Sequence, residues 1–358
     1  MSVIRDGPMS PLLSDPGVDF VVPAGAEATA PPEHRGLSRD GVRMLVARGM
    51  DASHHVVSEL PEVLAPGDLV VVNTSATLPA ALDAARRDGR SQPVHVSTEL
   101  DDGRWVVEVR RVDNLGPDPD VRPGAQLSLP GGVRLTVAAA YPDPAATQSR
   151  LWTARPTPAT RSAMHLAKHG RPIRYGYVAE PWPLADYQTV FATHPGSAEM
   201  PSAGRPLTDR VVTRLVAAGV ALAPITLHCG VSSPEAHEPP SPERFEVPVA
   251  TARLVNVVRA AGGRVVAIGT TVVRALESVA DPSGAVGPGA GWTDLVLGPT
   301  RPARVVTGLL TGLHEPGASH LQLLEAVAGT EAVRAAYAEA IDRRYLWHEF
   351  GDTTLFLP

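Results

Sequence analysis

Apolar positions along this chain follow two spacings, and the places where one gives way to the other mark its elements. From about residue 205 onward, short continuous apolar runs alternate with stripes at helical spacing. Thr208 precedes a stripe of Val211, Val212, Leu215 and Val216 that Gly219 closes, the layout of an N-capped helix with a glycine stop. Residues 221–228 then read as a buried strand, 250–261 as a helix and 265–268 as another strand. Ser319-His320-Leu321-Gln322 has the form of a capping box opening a helix to about Val327, and residues 331–343 carry a further helical stripe. Nearer the start, residues 42–46 and 69–72 are strand candidates.

Between about 77 and 160 the period changes. Arg104-Trp105-Val106-Val107-Glu108-Val109-Arg110-Arg111 alternates at period two, as a strand with one buried face does; residues 125–129, Pro130-Gly131-Gly132 and 133–137 read as strand, turn, strand. Several short strands in succession suggest a small closed β domain. The expected fold is therefore α/β (α+β): a layered, mixed-sheet main domain in 23–76 and 161–358, interrupted by an inserted Greek-key β-barrel in 77–160. Residues 1–22, rich in Pro, Gly and Asp, read as a poorly ordered leader.

Composition narrows the classes. The 358 residues, 44% hydrophobic and 20% charged, suffice for two domains with a real core. A net charge of -6 argues against a broad nucleic-acid-binding surface while leaving room for a local basic patch. The single Cys229 excludes an intrachain disulfide and a cysteine-rich metal site, which fits a reducing cytoplasm. No signal peptide and no run near membrane-span length is evident, so a membrane partner is not expected.

The most chemical stretch is Gly262-Gly263-Arg264 through Glu277-Ser278, a strand, a Gly269-Thr270-Thr271 turn and a helix. A helix start in such a place offers unpaired amides, the positive end of a dipole and two hydroxyls to an anion or polar ligand; equally, the threonines are N-caps. Arg274 and Glu277 can pair on one helix face, or Arg274 can offer its fork to a ligand carboxylate. His228 ends an apolar strand before Cys229-Gly230, either as a crevice residue or as a structural histidine. Cys229 itself reads as a small packed thiol. His165 and His169 have metal-ligand spacing but no evident third ligand, so no metal is expected. His54 and His55 read as solvent-facing, and Trp182 with Tyr187 as either a base-stacking pair or core.

Five segments, in order, carry a family resemblance. They are Pro66-Gly67-Asp68-Leu69-Val70-Val71-Val72-Asn73 with Leu78-Pro79-Ala80-Ala81-Leu82; Tyr187-Gln188-Thr189-Val190-Phe191-Ala192; the Gly269-Thr270-Thr271-x-x-Arg274-x-Leu276-Glu277 element; Gly291-Trp292-Thr293-Asp294-Leu295 with Leu313-His314-Glu315-Pro316; and Phe350-Gly351-Asp352. From about Pro31 to the C-terminus, the chain resembles the S-adenosylmethionine:tRNA ribosyltransferase-isomerases of queuosine biosynthesis.

The resemblance implies an enzyme that uses S-adenosylmethionine as a co-substrate, transferring and isomerising its ribosyl part onto a 7-aminomethyl-7-deazaguanine base in tRNA. Epoxyqueuosine would form, with release of adenine and methionine. It points to His228, His314 and Asp352 for the chemistry. Gly230, Gly269, Thr270, Thr271, Arg274, Tyr187 and Gln188 would then lie at the co-substrate. The chain departs from the family pattern at Ala76 and Ala81, where arginines are usual, at Pro206, where a histidine is usual, at Gly230-Val231-Ser232-Ser233, and at Gly312 in place of Asn. These losses open two further readings: the same sulfonium chemistry on a small-molecule acceptor, or non-catalytic S-adenosylmethionine binding. If tRNA is the partner, Arg86, Arg87, Arg90, Arg110 and Arg111 are the candidate phosphate contacts.

Overall fold

The computed structural model describes residues 17–86, 89–232 and 240–358. Its strands, in chain order, are β1 Arg43–Arg48, β2 Asp51–Val56, β3 Leu69–Asn73, β4 Ser75–Thr77, β5 Ala81–Ala85, β6 Ser91–Glu99, β7 Trp105–Val109, β8 Gln126–Ser128 and β9 Arg134–Tyr141. They continue with β10 Leu151–Thr157, β11 His194–Ser197, β12 Ala221–Leu227, β13 Glu243–Val247, β14 Val265–Ile268, β15 Gly289–Thr293, β16 Gly308–Gly312 and β17 Thr353–Leu357. The α-helices are α1 Leu60–Val63, α2 Ser162–His169, α3 Asp209–Ala217, α4 Val249–Ala260, α5 Thr270–Ser278, α6 Ser319–Ala328 and α7 Thr330–Asp342.

A nine-stranded sheet in the order β15-β13-β12-β3-β14-β16-β17-β1-β2 forms the frame. Strands β12, β3, β14 and β16 run parallel, and β17 runs antiparallel to β16. Its central strands are apolar on both faces because helices cover both. Leu69 and Val71 of β3, with Val265 and Ala267 of β14, join the core that holds α4, α5, α6 and α7. Val70, Val72, Val266 and Ile268, pointing the other way, pack with Leu60, Val211 and Leu215 of α1 and α3.

Strands β5 to β10 form a six-stranded antiparallel sheet closed on itself. Two three-strand runs, β5-β6-β7 and β8-β9-β10, join through β7 with β10 and β8 with β5. Trp105, Val107, Leu135 and Trp152 fill its interior. The outer face of β7, expected to be exposed, is buried as well. Glu108 there is enclosed by Arg110 at 2.8 Å and Arg150 at 3.1 Å. Burial alone would raise its pKa, but His95 and the two guanidiniums outweigh that and hold it at about 2.

Two local expectations need correction. Within the leader, Val18 is buried in the main core and Phe20 lies 4.8 Å from the Tyr337 ring, because its alternating apolar residues find the α7 face; residues 1–16 lie outside the described residues. The capping box at Ser319 is not made: Ala318 is the N-cap of α6 without a side-chain cap, and Gln322 is buried. Thr208, by contrast, does cap α3 through the Val211 amide.

Candidate active site at the strand-end edge

The carboxyl ends of β12, β3, β14 and β16 share one edge of the sheet, and antiparallel β17 begins there, with Gly312 opposite Thr353. This edge is the ordinary ligand crevice of a parallel sheet. It brings His228, Asn73, Gly269-Thr270-Thr271, His314 and Asp352 into one row, in that order. Adjacent strands are about 4.8 Å apart, so His228 after β12 lies roughly 19 Å from Asp352 before β17. The three residues expected to act together therefore stand at different stations along the edge.

At the first station, Asn73 ends β3 with both of its amide atoms in use. It accepts from the Leu227 and Ser75 amides, and it donates to the Leu227 carbonyl at 2.8 Å and to Thr271 Oγ1 at 3.2 Å. Ser75 is bonded to His228 Nδ1 and to Ser197 Oγ, each at 2.7 Å. Burial, and then the nearby Arg244 and His194, push the His228 pKa down to about 4, so its imidazole is neutral at pH 7. Asn73 closes an apolar run inside the first family segment, whereas Ser75 and Ser197 carried no signal of their own in the sequence.

At the centre, Gly269 is the N-cap of α5 with φ 93°, a conformation suited to glycine. A Cβ added to Gly269 would lie 3.3 Å from that of Ala203. Thr270 and Thr271 open the helix, and neither caps it by side chain. Arg274 pairs with Glu243 and donates to the Thr293 and Leu295 carbonyls at 3.0 and 3.2 Å. Glu277 instead accepts from the Arg304, Val305 and Val306 amides. Glu243 also takes the Gly230 amide at 2.9 Å. Arg274 and Gly230, expected at the co-substrate, both bond Glu243 and so tie β13 to its surroundings. Gln188 is likewise spent, pairing both amide ends with the Thr77 backbone at 3.0 and 2.8 Å.

At the far station, His314 Nε2 meets Thr311 Oγ1 at 2.9 Å, and its ring stacks on His320 with centroids 4.7 Å apart. Burial, then His320 and His348, hold its pKa well below the usual histidine range. Asp352 is buried and saturated. Its carboxylate accepts from the Arg43 amide at 2.9 Å, Arg43 Nε at 3.0 Å and the Leu346 amide at 2.8 Å, and pairs with Arg43 Nη2 at 2.8 Å. Asp352 also lines a narrow cleft with Arg39, Ala203, Arg205, Gly312 and Glu349, which the Gly269 turn abuts through Ala203.

The remaining candidates resolve as structure. Burial raises the Cys229 thiol well above its ordinary range, as for a packed thiol. His165 and His169 stack at 4.8 Å, and no group of three potential metal ligands occurs among the described residues. Tyr187 is buried, tilted against Phe350 at 5.2 Å, while Trp182 lies tilted against His34 at 4.1 Å. His54, although exposed, is bonded to Tyr345 and Glu339. Arg110 is buried on Glu108, Arg86 pairs with Asp118 and Arg111 with Asp113. Arg87 lies outside the described residues, and Arg90 has its own partner. No described helix is long and apolar enough to cross a membrane.

The family model described as "Queuosine biosynthesis protein" matches residues 17–356. The chain belongs to that family. It is 35% identical to an S-adenosylmethionine:tRNA ribosyltransferase-isomerase of Thermosynechococcus vestitus, covering 89% of this chain and 90% of that one. It is also 35% identical to the protein of that name from Symbiobacterium thermophilum, covering 96% and 99%. Among solved structures it is similar to the S-adenosylmethionine tRNA ribosyltransferase of Thermotoga maritima, with a TM-score of 0.53 and 28% identity over 95% of this chain and all of that one. Relatives so named across the full length do not support the small-molecule acceptor.

Against the family pattern, the structure shows where the departures fall. Ala81 is sealed in the barrel interior and Ala76 is half-buried in β4. A guanidinium enters the cleft elsewhere: Arg205 is buried, pairs with Glu33 at 3.0 Å and lies 5.1 Å from the Phe350 ring centroid. Its one signal in the sequence was a charged residue where this motif carries leucine.

Proposed function

We propose that this chain transfers and isomerises the ribosyl part of S-adenosylmethionine onto a 7-aminomethyl-7-deazaguanine base in tRNA, forming epoxyqueuosine and releasing adenine and methionine. The observation that carries the reading is the meeting, at one sheet edge, of a helix start and two histidines kept neutral by burial. The amides of Thr270 and Thr271 begin α5, where no preceding turn supplies them a carbonyl, so they suit a carboxylate or a developing oxyanion. A neutral imidazole takes up a proton at neutral pH, which the proton beside the sulfonium requires. Three strand spacings, about 14 Å, separate the His228 and His314 stations. The two histidines therefore serve different ends of the reaction.

For tRNA, the phosphate contacts move from the paired arginines to others. Arg134 and Arg155 lie diagonally on the outer face of β9 and β10, exposed and without an ion pair among the described residues. The test is incubation of the protein with S-adenosylmethionine, with and without tRNA bearing the aminomethyl base, followed by chromatography for adenine and methionine. Release of both only when the tRNA is present is expected. Release of neither, or equal release without tRNA, overturns the reading.

A further inference from the structure

Two further carboxylates, Glu199 and Glu349, stand at or beside the cleft. Glu199, just after β11, accepts hydrogen bonds from the Tyr175 hydroxyl and from the Ser232 amide at 2.8 Å. Glu349, in the turn before β17, lines the cleft and accepts from the Tyr177 hydroxyl. The rings of Tyr175 and Tyr177 lie nearly parallel at 6.0 Å, and Tyr177 stacks on His348 at 4.0 Å. Neither carboxylate has an ion pair among the described residues. Arg150 acts on Glu199, and Arg205 on Glu349, only through space.

A second feature points to a ligand. Tyr187 is 5% exposed, and its hydroxyl has no hydrogen-bond partner. That hydroxyl is within charge range of Glu349 and Tyr177, and its ring packs with Phe350, the next residue after Glu349. A buried phenol without a partner costs about 1–3 kcal/mol, so a group that bonds it on binding recovers that cost. Two near-buried carboxylates and an unpartnered hydroxyl oxygen make the surroundings of Glu349, at the cleft, rich in acceptors. Such surroundings fit a group that only donates, and a primary ammonium is that group.

We infer that Glu349, with Glu199 and the Tyr187 hydroxyl, holds the primary ammonium of the acceptor base and takes its proton. The inference rests on the function proposed above, since the aminomethyl group of the base is the ammonium in question. One N–H bond of R–NH3+ breaks and its proton passes to the Glu349 carboxylate. The freed nitrogen lone pair then forms its bond to the ribosyl carbon that adenine has left, the carbon–adenine bond having broken with its electron pair on adenine. Burial, and then the charge of Glu199, lift the Glu349 pKa to about 7, which suits a group that holds a cation and then accepts its proton at neutral pH.

The test compares binding of tRNA bearing the aminomethyl base with binding of the same tRNA bearing guanine at that position, for the intact protein and for Glu349→Gln, Glu199→Gln and Tyr187→Phe. A charge-assisted hydrogen bond is worth about 1.5–3 kcal/mol, so the intact protein should prefer the aminomethyl tRNA by roughly ten- to a hundred-fold. Glu349→Gln should erase that preference and Glu199→Gln should reduce it. Tyr187→Phe removes an unbonded hydroxyl, so it should keep the melting temperature of the intact protein while losing several-fold in preference; it stays informative even if a glutamate variant fails to fold. Calorimetry with S-adenosylmethionine separates the other cationic ligand. If its affinity drops in Glu349→Gln while the tRNA preference persists, the carboxylate serves the co-substrate and the inference is overturned. An undiminished preference in Tyr187→Phe and in every glutamate variant that folds also overturns it. Failure of the intact protein to release adenine overturns the functional reading itself.

Discussion

Replacing Asp352 by alanine tests whether this carboxylate reacts or holds the edge together. Its oxygens accept from the Arg43 and Leu346 amides at 2.9 and 2.8 Å and from the Arg43 guanidinium at 3.0 Å, at a site only 4% exposed. Each amide left without an acceptor costs about 1–3 kcal/mol. The Arg43 side chain is 40% exposed and keeps the Arg343 and Arg344 carbonyls, so the ion pair adds at most about 1 kcal/mol. The sum is about 2–7 kcal/mol, a large share of the roughly 5–15 kcal/mol that holds a typical protein folded. Urea denaturation followed by tryptophan fluorescence measures it, with adenine release per folded molecule measured in parallel. Asp352→Asn should recover less than half, because its amide nitrogen must face a donor. Arg43→Ala should cost far less than Asp352→Ala. A loss under about 1 kcal/mol in Asp352→Ala, accompanied by a hundred-fold fall in turnover per folded molecule, would refute the structural role and return the carboxylate to the chemistry.

A Cβ placed on Gly196 would lie 2.4 Å from His228 Nδ1, so Gly196→Ala should displace the imidazole and lower turnover by roughly a hundred-fold with the fold retained; unchanged turnover would show that His228 is not at the reacting centre. With a pKa of about 4, His228 should stay neutral from pH 8 to 5 in a histidine NMR titration, and a midpoint near 6.5 would contradict its burial. Because the folded value lies below the unfolded one, the His228 contribution is present above about pH 6.5 and is lost as pH falls toward 4. Discounted for its partial exposure it is about 1–2 kcal/mol, and His228→Gln should remove that part of the acid sensitivity in melting curves. Finally, Arg134→Ala with Arg155→Ala should weaken tRNA binding and flatten its logarithmic salt dependence by about 2, while the already paired Arg111 should contribute much less; an unaltered salt slope places the phosphates elsewhere.

Local pattern alone determined the elements. Thr208 and Gly219 bounded a helix, the run before Gly269 was a strand, and the Gly269-Thr270-Thr271 turn began a helix at a ligand edge, because capping, glycine's positive φ and apolar periodicity act within a few residues. The ordered family motifs likewise marked the family without any coordinates. Tertiary structure decided which polar groups were free. Arg274, Gly230, Gln188 and Asp352 lie in the family motifs, yet each is consumed by partners distant in sequence: Arg274 and Gly230 by Glu243, Gln188 by Thr77, and Asp352 by Arg43. Conversely, Arg205, Glu199 and Glu349 carried no periodicity or spacing that marked them, and only the folded chain brings Arg205 and Glu349 to the cleft and sets Glu199 beside it. The physical reason is range: hydrophobic period and backbone caps are properties of neighbouring residues, whereas the partner of a buried charge is set by the packing of strands and loops tens to hundreds of residues apart.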